Sequence, residues 1–466
     1  MKNVALRVGG SFLAAVVLVL SIPELQAGKL TWRERHRRAA VILPDADATS
    51  TWNTAVDGNW NDATKWSTNP NYPNNGNGGV ATYAAVISAT GAAYTVTLAV
   101  PITVESLLMS SANATLNHTA GTFTATNGIS LNAGTYSLNG GTISNSVVNV
   151  SGGAFVVASN GNNLLSGVTV NGDLTLNTTS ARTKIEGGTT FSTAHLSGNS
   201  SGLGFAPGQT LSGTILFDGA TGGPRFVEMN GTAGAFTIGA SGVIRTETGF
   251  GGNSGLIGSG SIYGGAMALT NNGLISSQVS GTTISVQPNT LTNNGTMRAL
   301  NGGILTISPT TTWTNAGTIG LDATSIVNLG GTFNTAGGIG TFANTAGGTV
   351  NITGTINNSG NTITLNNNTG SWTLNGGTIS GGSLAYADGK TLLIASNGNN
   401  LLSGVTVNGD LTLNVTSART KIDGGTTFTN AHLSGNSSGL GFAPGQTLSG
   451  TILFLKIRND RRAAPT

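Results

Sequence analysis

Leu269-Thr270-Asn271-Asn272-Gly273 recurs 22 residues later as Leu291-Thr292-Asn293-Asn294-Gly295, and after 22 more as Trp313-Thr314-Asn315-Ala316-Gly317. Each block places an apolar residue two positions beyond its glycine: Ile275, Met297 and Ile319. An alternating apolar pair comes later in each: Ile284/Val286, Leu305/Ile307 and Val327/Leu329. Alternation over so few residues marks a short strand with one face buried. The Asn-Gly steps between strands read as corners, because Gly and Asn tolerate positive φ. A 22-residue unit with two or three short strands is the size of one coil of a parallel β-helix. The fold class expected is therefore all-β, a parallel β-helix (β-solenoid) of roughly 22-residue coils. Stacked at the ~4.8 Å spacing of neighbouring strands, residues 68–454 make about 17 coils and a rod of about 80 Å.

Composition agrees with one elongated body. The chain has 466 residues, 72 of them Gly, with no Cys, and only 8% are charged. The Gly, Thr, Ser and Asn enrichment runs from about residue 50 to 454, which argues against a division into about three globular domains at roughly 150 residues each. Hydrophobic residues make up 38% and come as short β-branched runs, so a core is available. Disorder needs low hydrophobicity with high net charge, and neither is present. Without Cys there is no disulfide, no thiolate metal site and no Cys nucleophile. Stability must come from repetition and from hydrogen-bonded ladders.

The formal charge of +3 is misleading. Eleven of the twenty Lys and Arg lie before residue 39 or after Phe454. Between Thr49 and Phe454 stand nine basic residues against twelve acidic ones, so the body lacks the basic footprint of a nucleic-acid binder.

A longer period overlies the short one. Residues 158–217 recur as 395–454, shifted by 237, with 56 of 60 positions identical. The differences are Thr178/Val415, Glu186/Asp423, Ser192/Thr429 and Thr193/Asn430. Just upstream, Leu138-Asn139-Gly140-Gly141-Thr142-Ile143-Ser144 matches residues 374–380. A solenoid accommodates such a duplication because each coil contacts only its neighbours. After Phe454 the second copy ends abruptly in Leu455-Lys456-Ile457-Arg458, which reads as a frameshift or recombination scar or as a polar capping tail.

The flanks point to export. Lys2 and Arg7 precede the apolar stretch Phe12 to Ile22, and Ala27 follows as a cleavage position, so residues 1–27 read as a signal peptide. The apolar run falls short of the ~20 residues of a comfortable membrane span. Residues 28–48 read as a basic linker, 49–67 as a Trp-rich N-terminal cap, 68–454 as the repeat body and 455–466 as a basic tail.

Trp52, Asp57-Gly58-Asn59-Trp60 and Lys65-Trp66 form a cluster of three Trp. With the Gly/Thr/Asn-rich coils after it, this stretch resembles the opening of bacterial exported surface proteins with autotransporter-associated β-strand repeats. The resemblance spans residues 50–454 and implies a β-helical passenger, secreted or displayed at the cell surface of a Gram-negative bacterium, in adhesion or matrix roles. The sequence departs from that group at its C-terminus, which has neither ten-residue alternating strands for an outer-membrane barrel nor an apolar sorting tail. Physically, Trp52, Trp60 and Trp66 can cover the apolar end of the first coil; the other reading is a sugar-stacking site.

Few residues suggest chemistry. Gly198-Asn199-Ser200-Ser201-Gly202 fits G-x-S-x-G, is repeated at 435–439, and has His195 and His432 close by, but no amphipathic helix follows. Gly389-Lys390-Thr391 lacks the glycine a phosphate loop needs at position 384, which is Leu384. No calcium nonapeptide and no His pair at metal-ligand spacing occurs, so no cofactor or metal is expected. The strongest polar cluster is Arg182, Lys184 and Glu186, repeated as Arg419, Lys421 and Asp423. In a strand these three project from one face, as a glycan-contact stripe or as a solvated strand with compensating charges. Thr122-Phe123-Thr124-Ala125-Thr126 and similar alternations would form flat hydroxyl arrays, though Thr also simply favours strands. The function expected is an exported structural or adhesin-like solenoid whose surface meets polysaccharide, matrix or another cell. The alternative is a polysaccharide-active β-helix enzyme using Arg182, Lys184 and Glu186.

Overall fold

The computed structural model describes residues 46–454 except Thr221 and Asn253. The expected signal peptide, most of the basic linker and the basic tail lie outside the described residues.

The described chain winds as a solenoid of about 17 turns whose strands stack on three faces. The first face opens with Ala48–Thr51, Tyr83–Ile87 and Ser106–Met109. The second opens with Gly58–Asn59, Tyr94–Leu98 and Ala114–His118, and the third with Ile102–Val104 and Thr122–Ala125. The chain then visits first, second and third face in turn, and every ladder between these strands is parallel. Among the described residues the third face holds 17 strands in one unbroken ladder. Thr169–Leu176 and Thr190–Leu196 each run across both the first and the second face. The second face has one break, where no ladder joins Thr341–Ala343 to Thr362–Leu365. No α-helix is present among the described residues, and none of their helices is long and apolar enough to cross a membrane.

The 22-residue repeat sets the register. Leu291 pairs with Leu269 below it and with Trp313 above, all three pointing inward. Ile275, Met297 and Ile319 form a second inward column, and Ile284, Leu305 and Val327 a third. Burying each such side chain stabilises the stack by about 1.5–3 kcal/mol. The asparagine of each block is also inside. The Asn271 amide donates to Asn293 at 2.7 Å, and the Asn293 amide to Asn315 at 2.6 Å, in a buried ladder that pairs polar groups removed from water.

The corner glycines correct the sequence reading in one respect. Gly273, Gly295 and Gly317 do not have positive φ. They are required because the coils touch there: a Cβ on Gly295 would lie 2.3 Å from the carbonyl oxygen of Gly273, and one on Gly317 2.1 Å from that of Gly295.

At the N-terminal end, Trp52, Trp60 and Trp66 are at most 1% exposed. Trp66 sits edge-on to Trp52 at 5.1 Å and tilted to Trp60 at 4.9 Å, and Trp60 meets Phe123 at 5.6 Å. The Trp60 indole donates to the Pro73 carbonyl at 2.9 Å, and that of Trp66 to the Trp60 carbonyl at 2.7 Å. Rings so enclosed offer no face to a sugar.

Candidate functional site

Arg182, Lys184 and Glu186 stand on the third-face strand Arg182–Glu186, which alternates between core and surface. Thr183 and Ile185 are fully buried, while the three charged residues point outward and are half-buried. The coil below sets Leu164 beside Lys184 and Ser166 beside Glu186; the coil above sets Gly202 beside Arg182 and Gly204 beside Lys184. Among the described residues none of the three makes a salt bridge, so the charges are not compensated by pairing with one another.

The two glycines leave a groove in the outer surface, and a loop of the same chain lies in it. A Cβ on Gly202 would come 2.8 Å from Cδ1 of Ile262, and one on Gly204 2.6 Å from Cδ2 of Tyr263. Lys184 Nζ stands 5.9 Å from the Tyr263 ring centre, within cation–π range. The loop is fastened by Glu228, fully buried on the next third-face strand, Arg225–Met229. Its carboxylate accepts from the Ser259 hydroxyl at 2.6 Å and from the backbone N–H groups of Ser261, Ile262 and Tyr263 at 2.6, 2.9 and 3.1 Å. Burial pushes the Tyr263 phenol far above its usual range, so it stays protonated.

The duplicated cluster has another setting. Arg419, Lys421 and Asp423 lie on Arg419–Asp423, again with Thr420 and Ile422 buried, and all three charged residues are exposed. This strand pairs with Leu401–Ser403 and Gly439–Phe442 in the first-face ladder, not the third. The structure therefore does not bring the two clusters into one stripe. Among the described residues nothing comes within 4 Å of a Cβ built on Gly439 or Gly441. A groove of about 350 Å³ remains there, lined by Leu401, Lys421, Asp423, Gly441, Phe442 and Ala443.

The G-x-S-x-G segments are corners between strands. Ser200 turns from Thr190–Leu196 to Gly202–Phe205 with φ of 56°, and its hydroxyl donates to the Asn199 side chain at 3.2 Å. His195 instead meets Asp218 at 2.6 Å and Asp173 at 3.7 Å, and His432 meets Asp410 at 2.8 Å. That hydrogen bond holds the Asp410 carboxyl below its usual range. Sequence reading missed these contacts. The signal was available: Asp173 and Asp218 lie one coil before and one coil after His195. His118 is buried between Tyr136, at 2.9 Å from Nδ1, and the Gly121 carbonyl, at 3.1 Å from Nε2, and burial lowers its pKa to about 4.

Two further surfaces are made by the fold. On the first face, outward residues stack one per coil in two columns: Thr290, Thr312, Thr332, Thr355 and Thr378, beside Thr292, Thr314, Asn334, Asn357 and Ser380. On the second face, the break opens a fissure of about 360 Å³ whose walls include Thr341, Thr362, Thr364, Asn366, Asn368 and Thr369, with no charged side chain in its lining. No group of three or more His, Asp or Glu able to hold a metal ion occurs among the described residues. Compared with protein-family models, with curated proteins and with solved structures, the chain matches none.

Proposed function

We propose that this chain is an exported structural or adhesin-like β-solenoid that presents a repetitive surface to glycan, matrix or a neighbouring cell. The observation that carries this reading is the double column of hydroxyl and amide side chains on the first face. Neighbouring coils repeat it at about 4.8 Å, and residues two apart along a strand at about 6.6 Å. A flat lattice of uncharged donors and acceptors suits a polymer that itself repeats hydroxyl groups, because many weak hydrogen bonds engage together at little extra entropic cost. The fissure adds a place of sugar-ring size where the same neutral chemistry becomes concave, within the roughly 300–1,000 Å³ of ordinary ligand sites. Export and surface display rest on the apolar N-terminal stretch and on the resemblance of the Trp-rich opening.

The test is co-sedimentation of the purified protein with chitin and with cellulose, together with viscometry of soluble polysaccharides. Bound protein is expected without loss of viscosity, and replacing Thr312, Thr332 and Thr355 successively with Glu should weaken binding stepwise. Binding indifferent to all three changes would sink the lattice reading. A fall in viscosity abolished by Lys184→Ala together with Lys421→Ala would replace it with the polysaccharide-active enzyme.

A further inference from the structure

Thr341–Ala343 and Thr349–Ile352 belong to one coil, Thr362–Leu365 and Trp372–Leu374 to the next, and the seam between these two coils opens twice. On the second face it opens as the fissure of about 360 Å³, and on the third as a recess of about 250 Å³. A single corner separates the two openings, and Asn344 closes it. Its N–H donates to the Asn368 carbonyl at 2.8 Å, and its side-chain amide to the carbonyls of Gly348 and Thr369 at 3.0 and 3.1 Å. Thr369 walls the fissure, and the next residue, Gly370, walls the recess. Alone, the recess is smaller than the roughly 300–1,000 Å³ of ordinary ligand sites; joined to the fissure it falls within that range.

The two openings differ in charge. The fissure has no charged side chain in its lining, whereas the recess has one, Lys390. Lys390 follows Gly389, whose φ of 70° turns the chain between Ser383–Tyr386 and Leu392–Ile394. Among the described residues the Lys390 ammonium makes no salt bridge. The nearest acid in sequence, Asp388, accepts from the Asn367 N–H at 3.1 Å instead. In the same recess the Ser371 hydroxyl accepts from the Thr391 N–H at 3.1 Å, which leaves its own proton to donate. Gly347, Gly348 and Gly370 keep side chains off the rest of that wall.

We propose that fissure and recess are consecutive subsites for one glycan chain, a neutral sugar in the fissure and a uronic acid beside Lys390. Lys390 then determines specificity. The proposal rests on the glycan reading above and narrows it to a chain in which a neutral sugar adjoins an acidic one. The uronate carboxylate accepts from the Lys390 ammonium and from the Ser371 hydroxyl, and such charge-assisted hydrogen bonds are roughly twice as strong as neutral ones. Because the two sugars are linked, seating the first raises the effective concentration of the second.

The experiment titrates the full chain, by calorimetry, with hyaluronan tetrasaccharide, which alternates neutral and uronic acid sugars, and with chitotetraose, which is neutral throughout. The acidic ligand should bind about tenfold more tightly, equivalent to ~1.4 kcal/mol, and should lose that advantage at high salt. Lys390→Gln should remove the difference and leave chitotetraose binding unchanged, while Lys390→Arg, which keeps the charge, should retain most of it. Thr364→Trp, which fills the fissure from an exposed position, should weaken the acidic ligand with the circular dichroism spectrum unaltered. Equal affinity for the two ligands, a preference that survives Lys390→Gln, or hyaluronan binding untouched by Thr364→Trp overturns the proposal. In those cases a glycan still binds and the broader reading stands; binding of neither ligand overturns both.

Discussion

Residues 158–217 and 395–454 share 56 of 60 positions, yet the fold treats them differently. Most strands of the first copy have a counterpart in the second, and in both the Thr and Ile of the charged strand point inward: Thr183 and Ile185 in one, Thr420 and Ile422 in the other. Their faces differ. Ten coil steps along the third face lead from Arg182–Glu186 to Leu411–Leu413, and Arg419–Asp423 falls one face further along the chain. A shift of 237 residues is thus ten coils and one face more, so the second copy is turned about the solenoid axis. Over the first copy lie the next coil and the 258–265 loop, which come from outside the duplicated stretch. Strand formation and in–out alternation follow from local sequence. Which face a strand joins, and what lies over it, follows from everything stacked before and after it.

Matched substitutions at equivalent positions can break this comparison. The largest effect is expected at Phe217, which is fully buried at the last strand of the first copy. Phe217→Ala should destabilise its coils by about 3–5 kcal/mol. Urea unfolding read by hydrogen exchange in that region checks this, and unchanged exchange would mean that the ring does not hold those coils together.

Next come the glycines and the anchor. Gly204→Ala drives a methyl group into Tyr263 and should cost about 1–3 kcal/mol of overpacking, whereas Gly441→Ala meets open space and should be silent to within about 0.5 kcal/mol. Glu228→Ala leaves buried N–H groups at 261–263 without their acceptor, a loss of about 1–3 kcal/mol. It should also make the first copy resemble the second, with faster exchange at those amides and a Tyr263 ring open to solvent quenching. Unchanged exchange there would show that the loop is held by something other than the carboxylate.

The smallest effect expected is on the lysines. Lys184→Ala removes a cation facing Tyr263 and should cost about 0.5–1 kcal/mol, while Lys421→Ala, at an exposed position, should leave thermal stability unchanged. Acid adds a check on the buried part of the solenoid. His118, with a pKa of about 4 in the fold, titrates near 6.5 once unfolded. The unfolded chain therefore binds the extra proton first, so stability is complete above about pH 6.5 and falls as the pH drops toward 4, by about 3 kcal/mol. His118→Gln should flatten that slope; an unaltered slope would assign the acid sensitivity to other groups.

Much of this was legible in advance because a coil of 22 residues is nearly a local object. The Leu269, Leu291 and Trp313 column and the Ile275, Met297 and Ile319 column are read directly from spacing, and the structure pairs them in that register. The outward projection of Arg182, Lys184 and Glu186 was legible for the same reason, since a strand alternates. What covers Lys184 was not. Tyr263 lies 79 positions away in a segment with no repeat signature, and it is fastened by Glu228, whose role depends on its being one coil above the groove. The His195–Asp218 contact is an intermediate case: the one-coil spacing carried the signal, and the sequence reading passed over it.

The sequence by itself determined the solenoid, its period, its inward columns and the near-identity of two of its parts, because short-range alternation and a regular repeat leave the backbone one economical way to bury its apolar side. It also named the corner glycines, though for a reason the fold revised: Gly273, Gly295 and Gly317 are required by contact between coils and not by positive φ. Only the tertiary structure decided which face each copy occupies and that a loop from elsewhere in the chain fills the groove of the first. Those outcomes depend on the summed lengths of ten intervening coils and on a loop that crosses from one coil to another, and neither quantity is written in any single repeat.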